Sequence, residues 1–247
     1  VATIPTRNNP AARLLNFVGT LRGYAINNKT QKTATALSIV LGIREDDVAG
    51  LLERVGKILG VPREIREQVR SIKDVDQNLY LRWLETVEML LAALNLNASI
   101  AMFADRLPQA ILDEGQFCAD LLSRTYPERV IASDQLRAVR KEVEDLKSTV
   151  VQSELDLPLK RYLIEHLRAI VNAIDLYDIL GPSEIEATLN RTLGSVLTDL
   201  NRAERIKESS VGNRFWEVVL RVSQLVEIGS GLAQIVSRVS NLQLPHH

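Results

Sequence analysis

The 247 residues carry 30 Lys plus Arg against 31 Asp plus Glu, a formal charge of −1, which excludes a bulk electrostatic pull toward nucleic acid. Hydrophobic residues make up 46% and charged residues 25%, which argues against disorder outside the termini and supplies a core without disulfides or metal. The single cysteine, Cys118, cannot form an internal disulfide; with no charged-then-apolar leader in the sequence, the expected setting is reducing and cytoplasmic.

Apolar residues recur every three or four positions almost throughout, and no stretch alternates with period two between hairpin turns, so the expected class is all-α. After an irregular lead-in, Asn9-Pro10 opens a helix with the stripe Leu14, Leu15, Val18 and Leu21. A second element, residues 31–41, ends near Gly42. Asp46 and Asp47 start a third, with Val48, Leu51, Leu52, Val55, Ile58 and Leu59 on its apolar face and Gly60 closing it. Pro62 opens a short helix whose charges (Arg63, Glu64, Arg66, Glu67, Arg70) form a solvated face. From Asp76 to Leu94 a wide apolar face predicts a largely buried helix; Asn95 and Asn97 break it, and Pro108 leads into another through Phe117, Leu121 and Leu122.

Pro127 and the capping candidates Ser133 and Asp134 mark residues 125–134 as a boundary. The expected arrangement is a multi-helix bundle or stacked helical hairpins, divided into lobes 1–126 and 127–247 or folded as one domain. Leu136, Val139, Val143, Leu146 and Val150 form a heptad seam of about two heptads, short for an isolated coiled coil and suited to a bundle. Pro158 begins a helix with Leu163, Leu167, Ile170, Val171, Ile174 and Tyr177 facing a core, ended by Gly181-Pro182. Ser183 and Glu186 have capping-box spacing ahead of Ile185, Leu189, Leu193, Val196 and Leu200. Asn201 to Asn213 reads as a helix end and loop, and a last apolar helix runs from Asn213 to Leu242.

Chemistry-bearing patterns are sparse. His166 is the one internal histidine and reads as a packed structural residue; a pair with the distant Cys118 is the remaining nucleophilic option. The closest acidic pairs, Asp46-Asp47, Asp74 with Asp76 and Glu184 with Glu186, suit helix starts better than a metal, and a metal-dependent enzyme built on acids is the third functional reading. There is no phosphate-binding glycine loop and no GxSxG elbow; Gly229-Ser230-Gly231 falls within the last apolar helix, and no cofactor or metal site is expected. Arg63, Arg66, Arg70 and Lys73, and Arg202, Arg205 and Lys207, are diluted by acids, so nucleic acid is not an expected ligand. Glu217, Arg221, Glu227 and Arg238 interrupt any membrane-spanning run in the last helix.

The tracts Leu157 to Leu167, Tyr177 to Pro182 and Phe117 to Leu122 resemble a pattern in uncharacterised bacterial helical proteins. The resemblance implies a bacterial origin and nothing firmer; a role in phage defence or in a mobile-element gene cluster follows by association alone. The leading expectation is a non-enzymatic helical scaffold, regulator or immunity component acting through a protein partner or self-association. Its expected interface is Phe215, Val218, Val222, Leu225, Leu232, Val236 and Val239. A membrane-active effector using the same C-terminal helix is the alternative.

Overall fold

The computed structural model describes residues 8–226, the side chains of Leu197 and Leu200 excepted. Among them are thirteen helices and, in place of a sheet, one isolated antiparallel bridge between Lys32 and Ser99. The protein is all-α. Its chain divides into two compact units, Val1–Glu128 with Asp178–Gly181, and Arg129–Tyr177 with Pro182–His247.

The first unit contains α1 (Pro10–Asn27), α2 (Thr33–Val40), α3 (Val48–Ile58), α4 (Val61–Ser71), α5 (Gln77–Ala92), α6 (Ala101–Arg106) and α7 (Gln109–Thr125). Helix α1 is central, packing on α2, α4, α6 and α7, because Leu14, Leu15, Phe17, Val18, Leu21 and Ala25 bury more than one stripe. Asn9 starts it: Oδ1 accepts the Ala12 N–H at 3.0 Å, while Nδ2 donates to the Ala119 carbonyl at 2.9 Å and Ser123 Oγ at 2.8 Å. One side chain therefore caps α1 and joins it to α7. Gly115 lets α7 approach closely, since a Cβ there would lie 2.5 Å from Leu15 Cδ2 and 3.0 Å from the Trp83 ring.

Helix α3 ends just before Gly60, whose φ is −81°, and the chain enters α4 at the next residue. One expectation changes in this unit. Glu64, expected on a solvated face, is half-buried, and that burial raises its pKa against the opposing pull of Arg13. Arg13 is itself buried, with its guanidinium bound to Glu128 and donating to the carbonyls of Ile179 at 3.2 Å and Leu180 at 3.3 Å. Any side chain at Gly181 would be strained, since its φ is +72° and a Cβ would lie 2.5 Å from Arg13 Cζ.

The remaining helices are α8 (Ser133–Gln152), α9 (Leu157–Asp175), α10 (Tyr177–Leu180), α11 (Pro182–Leu197), α12 (Leu200–Lys207) and α13 (Ser210–Leu225). The heptad seam of α8 packs inside the second unit, where Val139, Val143, Leu146 and Val150 join Leu163, Leu167 and Ile170 of α9 and Phe215, Val219 and Val222 of α13. The Tyr177 hydroxyl accepts the Ile131 N–H at 2.8 Å at the edge of this core. Asn201 to Asn213 contains most of α12 rather than a loop: Asp199 accepts the Arg202 N–H at 3.0 Å, and Ala203 and Ile206, three apart, are buried. Ser209, accepting the Gly212 N–H at 2.9 Å, opens α13 three residues before the expected start. Helix α11 opens at Pro182, with Ser183 as its second residue.

Candidate functional site

An apolar cleft opens in the first unit between the end of α5 and α6. Its volume is about 260 Å³, and Leu90, Leu94, Met102, Phe103 and Arg106 are among its lining residues. The wall is fixed by backbone pairing: Thr33 N–H donates to the Ala98 carbonyl at 2.9 Å, Ala34 N–H to Leu96 at 3.0 Å, and Ile100 N–H to Gln31 at 2.9 Å. The Thr33 hydroxyl also donates to Ala98 at 3.1 Å. The break at Asn95 and Asn97 thus becomes a loop clipped to the α1–α2 connection, which holds α6 beside α5.

The chain has two methionines, and both are in this region: Met102, 52% exposed, lines the cleft, and Met89, 66% exposed, lies one helical turn before the lining residue Ala93. Unbranched thioether side chains adapt to differently shaped apolar partners. Arg106 lines the cleft, and no carboxylate among the described residues neutralises it. At about 260 Å³ the space falls below the roughly 300–1,000 Å³ of small-molecule sites and suits one or two inserted side chains. Sequence periodicity gave no sign of this cleft; the signal available was that both methionines flank the Asn95–Asn97 break.

A second constellation joins α9 to α11. His166 Nε2 is 3.0 Å from Ser195 Oγ, and Nδ1 is 3.1 Å from Thr192 Oγ1. Ser195 Oγ is also 2.6 Å from the Tyr162 hydroxyl and 2.9 Å from the Thr192 carbonyl. The carbonyl can only accept, and the donor roles among the imidazole nitrogens and the hydroxyls follow the His166 tautomer; either neutral tautomer leaves both ring nitrogens with a hydroxyl partner. The Tyr162 and His166 rings meet edge to face at 4.4 Å, and the Arg202 guanidinium lies 4.5 Å over Tyr162.

Burial lowers the His166 pKa, with Glu165 opposing and Arg202 reinforcing. The arrangement differs from a nucleophile with an oriented base in that a hydroxyl, Thr192 Oγ1, occupies the place of an orienting carboxylate. It is a packed polar joint. Cys118 is buried in the other unit, where burial pushes its thiol up to about 11, so it offers no thiolate at neutral pH.

Among the described residues no group of three or more His, Cys, Asp or Glu could hold a metal. Asp47 and Asp76 cap α3 and α5. Of the basic groups, Arg66 pairs with Glu88, Arg202 with Asp199 and Arg205 with Asp156. Of the residues expected at an interface, Phe215 and Val222 are fully buried in the second unit's core, and Val218 and Leu225 pack against it partly buried. Leu232, Val236 and Val239, like Gly229-Ser230-Gly231, lie outside the described residues. No helix among the described residues is long and apolar enough to cross a membrane. Comparison with known protein families, curated proteins and solved structures finds no match.

Proposed function

We propose that this chain is a non-enzymatic helical interaction protein that receives an acidic amphipathic helix of a protein partner in the cleft between α5 and α6. The carrying observation is the combination of an apolar cleft of side-chain size, with the exposed Met102 on its wall, and Arg106, a cation that no described carboxylate neutralises. The apolar walls take side chains one turn apart on a partner helix, and Arg106 selects for a carboxylate beside them. The engagement of both His166 ring nitrogens by hydroxyls, with a threonine where an orienting carboxylate would stand, supports binding over turnover.

The two methionines make the test direct. Helical peptides of varied acidic content are selected by display against the full chain and titrated into protein labelled with 13C at the methionine methyls. Bound peptides should carry a carboxylate, shift the Met102 methyl, and bind Arg106→Glu about tenfold more weakly or worse. Binders that leave Met102 unmoved, or that bind Arg106→Glu equally well, would overturn the proposal.

A further inference from the structure

Helix α3 has an apolar face whose centre is bare. At 100° per residue, Ile58, Leu51, Val55, Val48, Leu59 and Leu52 follow one another around the helix and its cap, continuing through Gly56 and Ala49. The fold buries only one edge, Leu51 and Ile58. Val48 is 57%, Leu52 53% and Leu59 46% exposed, Val55 is half-buried, and Ala49, Gly56 and Gly60 are exposed. Nothing lies within 4 Å of where a Cβ on Gly56 would stand.

We infer that two copies of the chain pair through this face, α3 antiparallel to α3. This deepens the interaction reading by naming a second partner, and it uses a helix outside the cleft. A two-fold interface must be complementary to itself. This patch qualifies, because the large Val48, Leu52 and Leu59 lie beside the small Ala49, Gly56 and Gly60. Val48, Leu52, Val55 and Leu59 are spaced four, three and four, so an antiparallel pair sets Leu52 against Val55 of its mate and Val48 against Leu59.

Charge selects the direction. Exposed Glu45, Asp46 and Asp47 crowd one end of α3, with Arg44 3.3 Å from Asp46, while exposed Arg63 follows the other end. Parallel pairing would stack three carboxylates on three; antiparallel pairing carries them toward the arginine end of the mate. The seam is roughly 18 Å long and about 10 Å wide, well below the roughly 800 Å² per partner of a standard stable complex. The dimer is therefore weak and exchanging.

Sedimentation equilibrium from about 5 to 500 µM tests this, a range spanning dissociation constants worth about −7 to −5 kcal/mol. The apparent mass should rise from 27.6 kDa toward twice that value. Leu52→Glu, a change at an exposed site, should keep the wild-type circular dichroism and weaken association at least tenfold. Under mild oxidation a mixture of Leu52→Cys and Val55→Cys proteins should form the mixed disulfide faster than either alone forms its own, Cys118 being buried. A mass constant at 27.6 kDa overturns the inference; so does association of Leu52→Glu equal to wild type, or a mixed disulfide no faster than the others. None of these outcomes touches Met102 or Arg106, so failure here and failure of the cleft proposal are told apart.

Discussion

Two half-buried titratable side chains respond to pH in opposite senses. His166 has its pKa lowered from 6.5 by burial, so as pH falls the unfolded chain takes up that proton first. Stability present above about 6.5 is then lost toward the folded value. The urea midpoint of the wild type should fall more steeply between pH 7 and 5.5 than that of His166→Gln. Glu64 has its pKa raised from 4.5 by burial, so the folded state takes the proton first and stability from this group grows as pH falls through the folded value. Glu64→Gln should be at least as stable as wild type at pH 7, with the gap closing on acidification; a lower midpoint at pH 7 would show that attraction to Arg13 outweighs burial. The sequence placed His166 at the margin of an apolar face. It could not show the Thr192 and Ser195 partners, which come from a helix more than twenty residues on.

At the scale of the helices, the chain was readable wherever local chemistry settles the matter. Asn9 before Pro10, Asp47 before Val48 and Asp76 before Gln77 all accept backbone N–H groups at helix starts, because those caps depend on residues two or three positions away. α12 was missed because its polar composition hides a two-residue apolar contact, Ala203 with Ile206, whose burial depends on α13. The apolar stripe of α3 was read correctly as a stripe, yet periodicity carries no information on which part of it finds a neighbour. The meeting of α5 and α7 also lay beyond local pattern. Its close approach rests on Gly115, and Gly115→Ala should cost about 1–3 kcal/mol in urea unfolding, because Leu15 and Trp83 would have to move from a packed core. An unchanged midpoint would mean that this core yields freely.

For the molecule as a whole, the sequence pointed to a break within residues 125–134, and the first unit's leading stretch ends at Glu128. The return of Asp178–Gly181 to that unit was invisible, since it depends on backbone carbonyls, which have no residue-type signature. Arg13→Met tests the weight of that return. Removing the guanidinium takes the cation from Glu128 and one donor from each of the Ile179 and Leu180 carbonyls, at an expected cost of about 3–5 kcal/mol. A loss below about 1 kcal/mol in chemical denaturation would place the unit's stability in its apolar packing alone. The same contact orders events during synthesis. A nascent chain that has left the ribosome as far as Glu128 holds every helix of its first unit up to α7, but Arg13 gains its last acceptors only when Leu180 emerges. That unit is thus completed more than fifty residues after its main stretch has been made, with α8 and α9 already in the growing polypeptide.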